Sequence, residues 1–284
     1  MLDINLERLI DSTLIKTIQT NDRDNSHFHP SEFDNCHRKL VYKYYEATGA
    51  CSIAKNNLIA MDTRLQRIFD NGHSLHFRLG KNLEETGYLK GIWVCKKCRY
   101  EHGSHQKLGV LKPSICDQQG CSSSYFRYKE LGFLDEDTFL GGHIDAVLCL
   151  HNYEINGTII TEDDSVENSH MIVDFKSIRS ESFKTLTSPK PNHITQMQIY
   201  FYLSGLKYGK FLYENKNDQM FREFLVERDE VVIQEKVAQA KLLKRIVTNI
   251  NSNGQRILPP RAHKRENNKE CVECSFRGHC WGKA

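Results

Sequence analysis

The stretch that most constrains the fold is Met171-Ile172-Val173-Asp174-Phe175-Lys176, an apolar strand-like run that ends in Asp-x-Lys. Side chains alternate along a strand, so Asp174 and Lys176 share a face. Burying either charge alone is costly, and two arrangements avoid that cost. One is a solvated salt bridge, which is common and weak. The other is a site completed by a divalent cation and a water.

Upstream, Gly141-Gly142-His143-Ile144-Asp145 opens a second apolar strand, Ala146 to Leu150, and a polar stretch rich in Asp, Glu, Asn and Ser separates the two. The pattern predicts a hairpin with a long connection, bringing Asp145 beside Asp174. Downstream, a loop over 183–191 carrying Lys184 and Lys190 precedes a helix predicted over 192–206. Gln196 and Tyr200, four apart, share a face of that helix, and Gln198 and Tyr202 repeat the spacing. Strands over 210–213 and 221–227 and a helix over 230–251 follow.

The ten cysteines fall into ligand-like spacings in a chain of 284 residues without export signals, which favours metals over disulfides. Cys95-x-x-Cys98 and the later pair Cys116 and Cys121 fit a zinc ribbon, since tetrahedral zinc needs two chelating turns brought together. Free thiols are the plain alternative, and His102 and His105 are competing ligands. The same module carries Lys96, Lys97, Arg99, Tyr100 and Lys107, which suits a nucleic-acid backbone, a structural insert or a docking site equally. Cys271, Cys274 and Cys280 need a fourth ligand, because zinc and cubane iron–sulfur sites both usually take four. Cys51 and Cys149 read as small buried side chains.

Toward the N-terminus, Leu6, Leu9, Ile10, Leu14 and Ile18 predict an amphipathic helix packed on the main body. Ser31, after Pro30 and with Asp34 three residues on, predicts the N-cap of a helix running to Ala47 and stopping at Gly49. A longer helix is predicted over 62–86, with Leu65, Ile68, Phe69, Gly72, His76, Leu79 and Leu83 on one face and Gly87 as its stop. On that stripe His76 alone reads as a satisfied core histidine. Gly72 costs helix stability and implies a close approach. The net charge of +3 is too small to argue for nucleic acid by itself. No run is apolar enough to span a bilayer, and the first residues lack the regions of a signal peptide, so a cytoplasmic protein is expected.

The ordered set Gly142-x-x-Asp145, Asp174-Phe175-Lys176 and Gln196-x-x-x-Tyr200 resembles the PD-(D/E)XK nucleases, in particular their RecB-like exonuclease branch. Gly72-His-Ser-Leu-His76 is similar to that family's helix histidine motif, with His73 on a different face. Cys36-x-Arg38-x-x-x-Tyr42 and the C-terminal cysteines resemble its iron–sulfur members, which include the CRISPR-associated RecB-like exonucleases and the nuclease domain of AddB-type helicase–nucleases. The resemblance runs from about Ser31 to the end, interrupted by the ribbon-like insertion.

It implies an α/β (α+β) restriction-endonuclease-like core, a mixed sheet flanked by helices. The expected segments are 1–92 (helical, with the first cluster cysteine and His76), 93–125 (zinc-ribbon-like), 126–228 (nuclease core) and 229–284 (helix and cysteine tail). His76, Asp145, Asp174 and the backbone carbonyl of Phe175 are expected to hold magnesium or manganese. Lys176 is expected to position the nucleophile, and Gln196 and Tyr200 to hold the substrate backbone and orient the lysine. Cys36 joins Cys271, Cys274 and Cys280 around a four-iron cluster stapling the two ends of the core, with zinc on the same ligands left open. The implied activity is exonucleolytic hydrolysis of DNA, on single-stranded ends, in recombination, repair, phage DNA processing or CRISPR adaptation. No helicase P-loop is present, so a motor, like an integrase-type partner, would come from another chain. The alternative from a different class is a non-catalytic DNA-end-binding adaptor.

Overall fold

The computed structural model describes residues 5–20, 24–50, 63–152, 154–155, 157–161, 163–249 and 257–282. In chain order these form α1 (Leu6–Thr20), a 3-10 turn (Pro30–Glu32), α2 (His37–Ala47), α3 (Thr63–Glu84), β1 (Leu89–Cys95), β2 (Glu101–His102), β3 (Val110–Leu111), β4 (Phe126–Lys129), β5 (Leu131–Asp135), β6 (Leu140–Ile144) and β7 (Ala146–Cys149). There follow β8 (Glu154–Ile155), β9 (Thr158–Ile159), α4 (Val166–Ser169), β10 (His170–Ile178), α5 (Ser180–Lys184), α6 (Pro191–Ser204), β11 (Tyr208–Asn215), β12 (Phe221–Glu227), α7 (Glu230–Thr248), α8 (Lys269–Val272) and α9 (Arg277–Trp281). Two compact units result: Met1–Phe28, Asp34–Ser74 and Leu242–Ala284 make one, and His29–Phe33 with Leu75–Lys241 make the other.

The second unit is built on a mixed sheet in the order β12-β11-β10-β7-β1-β2, with β3 and β4 also pairing with β1. Strands β10 and β11 are parallel, with Asp174 opposite Phe211 and Lys176 opposite Tyr213. The other pairings are antiparallel, including the expected partnership of β7 with β10, which sets Val173 opposite Ala146. Parallel neighbours cannot be joined by a tight turn, and the crossover here is α5 and α6.

Helix α6 begins with Pro191 at its first position and ends on Gly205, whose φ of +83° is the left-handed stop that glycine adopts without strain. It is buried from Thr195 to Phe201, so its sequence shows no polar stripe. It lies so close to β11 that a Cβ on Gly209 would stand 2.6 Å from Met197 Sδ and 2.9 Å from Phe201 Cζ. Glycine is needed there for the approach itself. On the other sheet face Leu75 and Leu79 of α3 pack with Leu89, Trp93, Ala146, Val173 and Phe175. The sheet is thus flanked by helices, as the resemblance implies.

Several local expectations are corrected. Ser31 caps no helix: Glu32 N–H bonds His29 O and Phe33 N–H bonds Pro30 O, closing a separate 3-10 turn, and α2 starts at His37. Its expected stop holds, with Gly49 at a φ of +64°. In α3 Gln66, Leu75, Leu79 and Glu84 are buried without forming one stripe, since Gln66 and Leu75 lie on opposite faces, while Leu65 and Phe69 are exposed. A Cβ on Gly72 would meet nothing within 4 Å among the described residues, so no close approach there explains that glycine. In α1 Ile10 is exposed rather than packed, and the side chains of Leu6, Leu9 and Ile18 lie outside the described residues. The predicted loop over 183–191 begins inside α5. Cys149 is buried, and Cys51 lies outside the described residues.

In the first unit, Leu40, Val41, Tyr42 and Tyr45 of α2 are buried. Tyr42 packs on Phe276 with ring centroids 5.5 Å apart, and Tyr45 Oη lies 3.1 and 3.2 Å from the carbonyls of Ile246 and Ile257. The C-terminal tail therefore folds against α2.

At the start of β10, His170 Nε2 is 3.1 Å from Lys90 Nζ, and its Nδ1 is 3.1 Å from Val166 O. Burial, then the Lys90 charge, pushes the imidazole pKa down to about 4 from 6.5. A histidine depressed in the folded state contributes stability that is present above its unfolded value and is lost as pH falls through the folded one. Thermal melts are expected to drop between pH 6.5 and about 4, and His170→Asn to flatten that drop. Equal slopes in the two proteins would refute it.

Candidate active site

Two strand breaks and the middle of β10 converge on a single patch. Asp145 separates β6 from β7, and since Val173 faces Ala146, the next step along the register sets Asp174 against Asp145. Glu130 separates β4 from β5, and since Leu131 faces Ile144, the next step sets Glu130 against Asp145. Both strands of this hairpin change partners at the level of the two acids, so neither acid takes part in a ladder pairing. His76 arrives from α3 and places Nδ1 3.1 Å from Asp145 Oδ1, its ring edge against Phe175. The other oxygen of Asp145 accepts the Phe175 N–H at 2.7 Å.

On the α6 side, Lys176 Nζ stands 2.5 Å from Asp174 Oδ2 and donates to Gln196 Oε1 at 3.2 Å. Gln196 Nε2 donates in turn to Asp174 Oδ1 at 3.2 Å and to Tyr200 Oη at 3.3 Å. Tyr200 Oη gives its own proton to His143 O at 2.7 Å, which fixes the amide of Gln196 with its oxygen toward the lysine. Gln196 and Tyr200 are thus the pair at the site. Gln198 instead ties Glu227 O and Asp229 N, each at 2.8 Å, and Tyr202 donates to Asp135.

The charges in this patch are out of balance. Burial, and then the nearby Asp145 charge opposing the relief from Lys176, pushes the Asp174 carboxyl up to about 6. Burial and the charge of Asp145 push Glu130 up to about 7. For His76 burial disfavours the charged form, but the hydrogen bond and charge of Asp145 outweigh it and the pKa is raised. Among the described residues, the Lys176 ammonium is the sole partner of this buried oxygen, Asp174 Oδ2. Crowded carboxylates that are driven to keep protons are what a bound cation relieves.

Ligand atoms of His76, Glu130 and Asp145 lie within 4.8 Å of one another; Asp174 is not one of the three, but its charge acts on both His76 and Glu130. Three carboxylates and an imidazole fit a hard divalent cation, manganese in particular. Glu130 is absent from the motifs that single out the other residues. Its only sequence signal is its place at the end of the short strand-like run Phe126-Arg-Tyr-Lys, fifteen residues before Asp145. Glu130→Gln, which keeps the shape and removes the charge, is expected to weaken the binding of a divalent cation at this patch about tenfold or more, read by calorimetric titration. An unchanged affinity would exclude Glu130 from the ligand set.

The insertion brings Cys95, Cys98, Cys116 and Cys121 within 4.8 Å of one another. Two of the sulfur pairs are 3.8 Å (Cys95–Cys121) and 3.6 Å (Cys98–Cys116) apart. A tetrahedron with zinc–sulfur bonds of about 2.3 Å has edges of about 3.8 Å. His102 Nε2 also stands 3.3 Å from Cys116 Sγ, whereas His105 lines a separate cavity. In the first unit Cys36, Cys271, Cys274 and Cys280 line one small cavity with Arg38, Lys39 and Arg277. The Cys36 N–H is held by Glu270 at 3.0 Å, and Arg38 Nη1 is 3.8 Å from Cys280 Sγ. These four sulfurs do not draw within 4.8 Å of one another as the ribbon's do.

No protein-family model matches the chain, and no curated relative matches it. Among solved structures, SSO0001 is similar at 14% identity and a TM-score of 0.44, covering 98% of this chain and 97% of that one. The alkaline exonuclease LHK-Exo from Laribacter hongkongensis is similar at 16% identity and a TM-score of 0.40, covering 79% of this chain and 89% of that one. The same exonuclease in complex with dAMP is similar at 14% identity and a TM-score of 0.39 over 78% of this chain and 88% of that one. At these values the likenesses carry no weight for the chemistry, which rests on the side chains gathered around Asp145 and Asp174.

Proposed function

We propose that this chain is a metal-dependent nuclease that hydrolyses phosphodiester bonds in DNA, acting on single-stranded ends. The observation that carries the proposal is the convergence of Asp145, Asp174, Glu130 and His76 beside a lysine that Gln196 and Asp174 hold in place. His76, Glu130, Asp145, Asp174 and the Phe175 carbonyl would hold magnesium or manganese, which lowers the pKa of water and neutralises phosphate charge.

The protein's own part is positioning and electrostatics. The Lys176 ammonium, oriented by Gln196, donates to the attacking water and to the phosphate oxygen on which negative charge develops. Tyr200 keeps Gln196 from turning its amide over. Asp145, by accepting the Phe175 N–H, locks the middle of β10 and with it the direction of the neighbouring Lys176.

The cysteines are read as two further cofactor sites. Sulfur separations that match a zinc tetrahedron support zinc at Cys95, Cys98, Cys116 and Cys121. The wider set of Cys36, Cys271, Cys274 and Cys280, with cationic side chains around it, suits a four-iron cluster, which seats each thiolate on a different iron corner.

The test is incubation of anaerobically purified protein with end-labelled single-stranded DNA and manganese, beside a chelator control. Progressive shortening that requires the metal is expected, and labels at opposite ends read the polarity. Wild-type protein that binds the DNA and leaves it intact with either manganese or magnesium would replace the nuclease by a DNA-end-binding adaptor.

A further inference from the structure

Beside the Lys176–Gln196 contact runs a second polar pair that the reaction outlined above does not use. Tyr213 of β11 lies opposite Lys176 of β10, so the two side chains leave the sheet on the same face, toward α6. His193, one turn before Gln196, meets Tyr213 there. His193 Nδ1 is 2.6 Å from Tyr213 Oη, and the two rings stack with centroids 5.7 Å apart at 25°. Tyr213 Oη also accepts the backbone N–H of Lys190 at 3.2 Å.

These contacts fix a tautomer. Tyr213 is fully buried, so its hydroxyl proton needs an acceptor. Among the described residues the acceptor within reach is His193 Nδ1. Nδ1 therefore accepts, and the ring proton sits on Nε2. Burial, and then the charges of Lys176 and Lys190, holds the imidazole pKa down to about 3, so the ring is neutral. Nε2 makes no hydrogen bond among the described residues, and the ring is only half-buried. The result is a neutral N–H donor on α6, locked by a backbone amide through the hydroxyl of a tyrosine one strand over from Lys176.

We propose that His193 Nε2–H binds a phosphate oxygen of the nucleic-acid strand, adjacent to the phosphate that Lys176 serves. The identity of the ligand rests on the nuclease proposal; the fixed donor does not. A phosphodiester oxygen only accepts hydrogen bonds, so a ring locked as a donor is matched to it, and a neutral ring adds no repulsion to the lysine next door. Tyr213 acts through His193 and is a positioning residue.

The experiment uses the full chain with its metals, in buffer without added divalent cation, and fluorescein-labelled oligothymidylate as probe. Nitrogen-15 histidine spectra are expected to show the Nε2–H tautomer for His193, assigned by its loss in His193→Gln, and to shift when the oligonucleotide is added. His193→Ala is expected to weaken binding about tenfold, and His193→Gln, which keeps an N–H donor, to stay within about threefold of wild type. The slope of affinity against salt should be unchanged in His193→Ala, because a neutral donor releases no counterion. Tyr213→Phe is expected to leave a mixture of tautomers.

A ring protonated on Nδ1, His193→Ala binding as tightly as wild type, a salt slope shallower by about one, or a wild type that does not bind the probe would overturn the proposal. Protein that binds through His193 but does not cut DNA with manganese sinks the nuclease proposal and leaves the phosphate site. Protein that cuts while His193→Ala binds normally does the reverse.

Discussion

Lys176→Ala is expected to slow DNA cleavage about a thousandfold while the protein still folds. The lysine is the one ammonium held at the patch by both Gln196 and Asp174, so its loss removes a preorganised donor that water cannot replace at the same orientation. Asp174 is then left buried without its cation, which in a dry interior costs about 3–5 kcal/mol if the charge stays. That cost is limited here because its carboxyl already sits at about 6 and takes up a proton instead. Single-turnover cleavage and a thermal melt read the two effects separately. Cleavage within tenfold of wild type would remove Lys176 from the chemistry, and a collapsed melt would mean that the ion pair is chiefly structural.

Cys116→Ser is expected to release about one zinc per chain and to unfold the insertion. Cys116 is buried, and β2 and β4 hang on β1 through short pairings, Trp93 with His102 and Cys95 with Phe126 among them. Strands of two and four residues bury too little to hold themselves, so a metal crosslink worth several kcal/mol is the natural staple. Metal analysis and limited proteolysis between 96 and 125 would show the change. Cys149→Ser is the control, because that cysteine is also buried but belongs to no cluster among the described residues, and the variant should keep its zinc. Full zinc content in Cys116→Ser would point to His102, 3.3 Å from the same sulfur, as the fourth ligand.

The legible parts of this protein are those in which spacing alone fixes geometry. Period two puts Asp174 and Lys176 on one face, and the apolar runs before Leu150 and before Asp174 pair as expected. Four-residue spacing gives Gln196 and Tyr200 one helix face, and Cys-x-x-Cys closes on a second cysteine pair. The exposed Leu65 and Phe69 show the limit of the same logic. A 22-residue helix that serves two compact units does not present one continuous stripe to one core. Helix α6 shows the opposite limit: buried nearly all round, it carries no stripe to read.

The sequence by itself determined the strand and helix that carry the acids, the lysine and the glutamine–tyrosine pair, because those relations are set by backbone periodicity. Only the tertiary structure decided which distant chain segments share the site. Glu130 reaches Asp145 because two strands of a hairpin break at the same level, and His76 reaches it from a separate helix. His193 becomes a donor only because Tyr213, on a neighbouring strand, accepts from Lys190 and must give its proton away. Such relations depend on register, burial and hydrogen-bond direction between segments far apart in the chain, and these exist only once the sheet has assembled.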